Sequence, residues 1–385
     1  MIDKKQLLTL AEVHQPNCIS MYFRMEGHQK NHIILKNLAQ EAEKMLDKAY
    51  GLDDKEINER LKPVYDLLDN EDWMSKPEGD VAILIYGEDN EIVEFNGTGI
   101  KSDVRVSDHL YLAPLTPLVN GAYQIYLLTL TAKKVNLYEV DDHQIIESEY
   151  SSHLPKNIES VVGGDVEQKT LQNRSGQQGG SGGGSMYHGH GAGNDSEKKL
   201  EYEKFFHEID SQLNAHITDQ SIPLVIACVD YLFPIYQEIN NYQELHEHFI
   251  SGNFDEVHAN ELHEKAKKVI DQLKADDLKE RKSNFEGLLA KQQASTKIQD
   301  VVPSSFEGKI ESLFIKENFE IFGRYLKNEH KIEIDSVNKL DNASLINMAA
   351  MNTAKAGGSV FILPDDKMPV SETDICAVYR YNEQD

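Results

Sequence analysis

The side chains most open to chemistry in this 385-residue chain lie around one unusual stretch. It runs Gly176-Gln177-Gln178-Gly179-Gly180-Ser181 and continues through Tyr187-His188-Gly189-His190 to Gly193. From Gln168 to Asn194 there is no aspartate or glutamate, while Lys169, Arg174, His188 and His190 are present. A Gly/Ser run is also the composition of a tolerated flexible insertion. What sets this one apart is its charge: a neutral-to-basic, backbone-rich segment suits entry into a crowded polyanionic site, because glycine lets main-chain amides approach phosphate or sugar. Other chemistries fit less well. Two histidines without a nearby carboxylate or thiol fall short of a metal ligand set. No Gly-Lys-Ser/Thr follows the last glycine, as a P-loop requires, and the register of a dinucleotide fingerprint after a strand is missing. Asp53-Asp54 and Asp365-Asp366 are paired carboxylates in turn-like sequence and read as solvated surface. No nucleophile and base can be paired from the rest of the chain, so neither a metal nor a cofactor is expected.

The whole-chain balance constrains where such a contact can be made. With 65 acidic and 39 basic residues the formal charge is −26, which favours solubility and excludes a surface built wholly for nucleic acid. Any polyanion must be met locally. Cys18, Cys228 and Cys376 lie far apart, each in an apolar stretch, which argues for buried free thiols in a reducing compartment. No leader-like apolar region and no run of eighteen apolar residues is present, so a cytoplasmic protein with no membrane segment is expected.

The elements that must carry the loop fall into three blocks, 1–120, 121–258 and 259–385, each read as α/β. The first has a helix with Leu7, Leu8, Leu10 and Val13, a strand Cys18–Phe23, and a helix whose Ile33, Ile34, Leu38, Ala42 and Leu46 share a face. A second helix over Lys55–Leu68 follows Gly51, then strands Val81–Tyr86 and Glu91–Phe95. Pro114 and Pro117 end the block. The second has strands Tyr123–Leu130, Lys134–Val140 and Ile145–Ser148, the glycine loop, and a helix Glu197–Ile217 with Leu200, Phe205, Phe206, Ile209 and Leu213 inward. Pro223–Val229 follows as an apolar strand covered on both faces. The third opens on a charged helical region from Asn260 to Lys297 carrying Leu262, Ala266, Val269, Leu273, Phe285 and Leu289. Strands Ile310–Ile315, Ser359–Leu363 and Ile375–Tyr381 follow, with a helix from Asn342, capped by Asp341 or Asn342, that stops before Gly357-Gly358.

That order of elements resembles the archaeo-eukaryotic class-1 release factor and Pelota family, and in particular its bacterial homologues, over nearly the whole chain. The likeness rests on Ile19–Phe23 with the long helix to Leu46, Val81–Tyr86, Tyr123–Leu130 with Val135–Val140, Pro223–Val229, and the ending Ala354-Lys355-Ala356-Gly357-Gly358…Ala377-Val378-Tyr379-Arg380-Tyr381. It implies a first domain facing the decoding centre of the ribosome, near Tyr50 and Lys55. It implies an RNase H-like middle domain whose loop, 174–193 here, reaches the peptidyl transferase centre, and a ribosomal-protein-like C-terminal domain that meets a translational GTPase such as elongation factor Tu. Within the loop it makes Arg174 a phosphate contact, Gln177 and Gln178 amide donors to bases or sugar beside Gly179 and Gly180, and His188 and His190 stacking or hydrogen-bonding groups on ribosomal RNA. Two family motifs are replaced: no glutamine follows a glycine pair, and Tyr50-Gly51-Leu52-Asp53-Asp54-Lys55 stands where stop-codon readers carry Asn-Ile-Lys-Ser. The resemblance then implies a ribosome-binding hibernation factor that fills the A site of idle ribosomes and is not an enzyme. The alternatives are a rescue factor hydrolysing peptidyl-tRNA through Gln177 or Gln178, and a Pelota-like surveillance factor.

Overall fold

The computed structural model describes residues 4–76, 79–95, 100–119, 123–142, 144–163, 192–335 and 342–381. The described residues are mixed α/β, with four separate sheets among them. It forms two compact units, one from Met1–Gly121 with Leu278–Asp385 and one from Ala122–Asp277.

The N-terminal segment is an antiparallel sheet of β1 (His14–Met25), β2 (Gly79–Tyr86), β3 (Asp89–Phe95) and β4 (Asp103–His109), in the order β3-β2-β1-β4. Helices α1 (Lys4–Ala11), α2 (His28–Met45), α3 (Asp54–Leu68) and α4 (Glu71–Met74) complete it. Because side chains alternate along a strand, Ile19, Met21 and Phe23 of β1 pack in one core with Leu35, Leu38 and Ala42 of α2 and Leu61 of α3. Cys18 and Tyr22 point into a different core. Of the stripe predicted on this helix, Leu38, Ala42 and Leu46 are buried and Ile34 partly so, but Ile33 is not. Asn31 is buried, its Oδ1 accepting from Glu26 N (2.7 Å) and its Nδ2 donating to Met74 O (2.9 Å), which rolls the helix and leaves Ile33 60 % exposed.

The middle unit is one five-stranded sheet, β5 (Ile125–Leu130), β6 (Val135–Val140), β7 (Ile145–Glu147), β8 (Leu224–Cys228) and β9 (Ile250–Ser251), ordered β7-β6-β5-β8-β9. Its first three strands form an antiparallel meander, and β8 and β9 add in parallel beside β5. That is the RNase H-like order. Every residue of β5 and β8 is buried, because helices cover both faces. On one face α5 (Ala192–His216) and α6 (Leu232–Ile239) supply Phe205, Phe206, Ile209, Leu213 and Tyr236; on the other α7 (Ala259–Ser283) supplies Leu262, Ala266 and Ile270. Leu200 is 58 % exposed and outside that stripe: nine residues before Ile209 at about 100° each, it sits half a turn away.

The charged helix predicted through Lys297 ends at Ser283. Asn284 leaves helical geometry (φ −112°, ψ 10°) before the short α8 (Phe285–Ala290), in which Phe285 is buried and Leu289 exposed. A sheet β10-β16-β11-β15 follows, from β10 (Ala294–Ser295), β11 (Ile310–Lys316), β15 (Ser359–Leu363) and β16 (Ile375–Tyr379), with β11 and β15 parallel. The hairpin of β12 (Phe322–Leu326) and β13 (Lys331–Asp335), joined by β14 (Ala343–Ser344), was not foreseen. Helices α9 (Ile298–Phe306) and α10 (Leu345–Lys355) pack on these strands. The cap of α10 is Ser344, whose Oγ accepts from Asn347 N at 2.9 Å, not Asp341 or Asn342. After α10 the backbone needs both glycines: Gly357 is left-handed (φ 79°), and a Cβ on Gly358 would stand 2.5 Å from Ile310 O.

This C-terminal segment shares a core with the N-terminal one. Tyr22, Ala82, Leu84 and Leu110 lie in one cluster with Val301, Leu313, Leu345, Ala349 and Val360. Polar groups fix the seam. Asn347 of α10 accepts from Leu112 N (2.8 Å) and Ala113 N (2.9 Å) and donates to Leu110 O (3.0 Å). Arg105 of β4 pairs with Glu320, donates to Asp103 at 2.8 Å, and lies over the Tyr111 ring at 3.5 Å from its centroid. Burial works to lower the guanidinium pKa, but Tyr111, Glu320 and Asp103 outweigh it and hold the pKa above the ordinary value.

Candidate functional site

Arg174, Gln177, Gln178, Gly179, Gly180, His188 and His190 lie outside the described residues. The structure does describe the frame that carries them: the sheet of the middle unit, and α5, which starts at Ala192 directly after the segment. On the early turns of α5, Lys198, Lys199 and Leu200 are exposed. Tyr202 sits edge-on to Tyr231, with ring centroids 6.1 Å apart and hydroxyls 3.5 Å apart. Burial, then the Tyr231 hydroxyl, pushes the Tyr202 pKa up to about 12, so it stays a neutral donor at physiological pH. Tyr231 is 61 % exposed. Lysines beside an exposed tyrosine backed by a half-buried one, with an apolar side chain next to them, are groups that contact phosphates and stack on unpaired bases. Sequence reasoning placed Leu200 in the core and did not single out Tyr202 or Tyr231; the signal was the run Lys198-Lys199 followed by an aromatic just beyond an acid-free loop.

Tyr50 and Lys55 are brought to one turn but not to one another. Tyr50 closes a wide helical turn, Leu46–Tyr50, and is half-buried against the core under α2. Its hydroxyl pKa is raised, first by burial and then by the charges of Asp108 and Cys18. Gly51 turns the chain in left-handed geometry (φ 65°). Asp53 caps α3, accepting from Lys55 N (3.0 Å) and Glu56 N (2.9 Å) while Glu56 returns a bond to Asp53 N (2.9 Å). The Lys55 ammonium lies 3.9 Å from Glu59. The sequence between Tyr50 and Lys55 is thus a capped connection. The neighbouring cleft, lined by Glu56, Glu59, Glu88 and Asp89 around Arg60, is net acidic and unsuited to phosphate. A row of exposed lysines of this segment stands instead on the outer face of α2, where Lys36 and Lys44 flank Gln40 at helical spacing, with Lys48 one turn further on. That stripe is legible in the spacing of the lysines, although the sequence reading singled out only the turn.

Residues 125–272 match the model of bacterial archaeo-eukaryotic release factor family 7. Over that span the middle unit is similar to the bacterial archaeo-eukaryotic release factors. The match spans the sheet, the segment after β7 and most of α7 in this release-factor-like unit. No curated protein sequence matches the chain significantly. Among solved structures it is similar to an archaeal translation termination factor, aRF1 (12 % identity, 99 % of each chain, TM-score 0.23). It is similar as well to archaeal Pelota in a ribosome-bound assembly with ABCE1 (9 % identity, 98 % of this chain and 94 % of that one, TM-score 0.35). A third is Dom34 of S. cerevisiae, a termination-like factor interacting with Hbs1 (12 %, 80 % and 81 %, TM-score 0.33). No helix of the described residues is long and apolar enough to cross a membrane.

Proposed function

We propose that this protein binds the ribosome in the A site of idle particles and holds it there in a hibernating state, in the manner of the hibernation factor Balon. The observation that carries the reading is the release-factor family match of residues 125–272 around a loop in which the glutamine follows no glycine pair (Gly176-Gln177-Gln178-Gly179). The frame of a release factor is kept and its hydrolytic tripeptide is not. The mechanism is steric. The release-factor-like unit carries an acid-free segment toward the peptidyl transferase centre, where Arg174 meets a phosphate and the loop amides meet sugar and base edges. Tyr202 and Tyr231 with Lys198 and Lys199 stand at the root of that loop and add stacking and charge. The N-terminal segment faces the decoding centre with the lysines of α2, and its capped turn at Asp53 leaves it without codon reading. Elongation factor Tu or another translational GTPase is the partner for delivery.

The test is chemical footprinting of vacant ribosomes with the whole chain. Protection at both the decoding and peptidyl transferase centres supports the reading, and deletion of Gly176–Gly193 removes the second footprint while keeping the first. Absence of both footprints, with and without a translational GTPase, overturns it.

A further inference from the structure

Away from the loop, the open end of the first sheet gathers two imidazoles and a carboxylate. His14 opens β1 and His109 closes β4, and the two are direct partners in the antiparallel ladder. The pairing is irregular between His14 and Cys18, where Asn17 takes left-handed geometry (φ 62°), and this break returns the His14 ring toward β4. The two rings lie with centroids 4.4 Å apart at 31°. Asp108 sits against both: its Oδ1 is 2.6 Å from His109 Nδ1 and its Oδ2 is 3.6 Å from His14 Nδ1. One ligand atom from each of the three falls within 4.8 Å of the others. Ser107 holds the His109 backbone, its Oγ donating to His109 O at 2.6 Å.

Without a cation, His14 Nδ1 donates to the Asp108 backbone O (3.3 Å) and His109 Nδ1 to its Oδ1 (2.6 Å); a cation at this cluster would take the place of those protons between the ring nitrogens and the carboxylate. The donor set selects the cation. Two nitrogens and one oxygen match the borderline ions, which take them at about 2.0–2.2 Å, whereas Ca2+ and Mg2+ call for more oxygens. The three side chains are 66 %, 39 % and 42 % exposed, so an ion there is reached from solvent and keeps a fourth position for water or an outside donor. We propose that His14, Asp108 and His109 bind a borderline divalent cation, Zn2+ foremost, that clasps the free end of the β1–β4 ladder. The sequence hid this site, because its ligands come from the two ends of different strands.

Zinc titrated calorimetrically into the tag-free full chain tests it, with Co2+ absorption reporting the coordination geometry. The expected result is one Zn2+ per chain, weakened about a hundredfold in His14→Ala and in His109→Ala. Asp108→Asn, a nearly isosteric change at a part-exposed position, weakens it as well, and His188→Ala/His190→Ala leaves it unchanged. Absence of stoichiometric binding, or binding that survives His14→Ala and His109→Ala and is lost with His188 and His190, overturns the proposal.

Discussion

The two compact units are assembled by different routes. Ala122–Asp277 is continuous in sequence; it rests on parallel strands buried on both faces and on helices that follow one another along the chain. The other unit is assembled from two segments separated by the whole of the first. Its shared core is apolar, but its register is set by Asn347 and by Arg105 with Glu320. The difference teaches that the unit carrying the glycine loop stabilises itself locally, so a long insertion is tolerated there, while the discontinuous unit depends on a few long-range polar contacts.

The buried thiols let that contrast be broken or sharpened. Cys18, Cys228 and Cys376 are at most 1 % exposed, so each reacts with a thiol reagent only when its unit opens. If the discontinuous unit is one cooperative body, Cys18 and Cys376 label at a common rate and Cys228 at its own. The largest effect is expected from Arg105→Ala, which leaves Glu320 (side chain 12 % exposed) without its cation. A loss of about 3–5 kcal/mol accelerates labelling of Cys18 and Cys376 together and leaves Cys228 unmoved; separate responses of Cys18 and Cys376 would split the unit into two. Asn347→Ala strands the amides of Leu112 and Ala113 and costs about 2–3 kcal/mol, read the same way by denaturant titration.

Alkaline pH acts on the middle unit through Cys228. Burial first, and then the charge of Asp230, pushes its thiol from an ordinary 9.0 up to about 12. The folded state holds the proton more tightly, so the stability this group contributes is complete below pH 9 and is lost as pH rises toward 12. Denaturant midpoints of Cys228→Ala and the parent, compared from pH 8 to 11, should converge in their pH slopes only if the thiol titrates alike in both states. The smallest effect is at the capped turn: Asp53→Ala removes the α3 cap and costs about 1 kcal/mol by thermal unfolding, with no change in ribosome footprint, because the turn is a connection.

Much of the architecture is legible in the residue pattern, and the exceptions share a cause. Continuous apolar strands such as Leu224–Cys228 and the helix end at Gly357-Gly358 stand out because local rules suffice for them. Strand β4, Asp103–His109, was not foreseen: it carries charges at Asp103, Arg105 and Asp108, and Arg105 is accommodated because it finds Glu320 far along the chain. Ile33 and Leu200 were read as core because apolar residues were counted without the buried Asn31 that rotates α2 or the true stripe of α5. For the site, the acid-free loop is visible in composition, but Tyr231 beside Tyr202 and His14 beside His109 are products of folding.

Occupancy without hydrolysis can be read in one tube. The whole chain is mixed with ribosomes, vacant or carrying labelled peptidyl-tRNA, then pelleted and scored for bound protein and freed peptide. Co-pelleting with vacant ribosomes and no freed peptide, unchanged in the binding step by Gln177→Ala/Gln178→Ala, is the predicted result. Freed peptide that disappears with that double substitution would contradict it and make the protein a peptidyl-tRNA hydrolase.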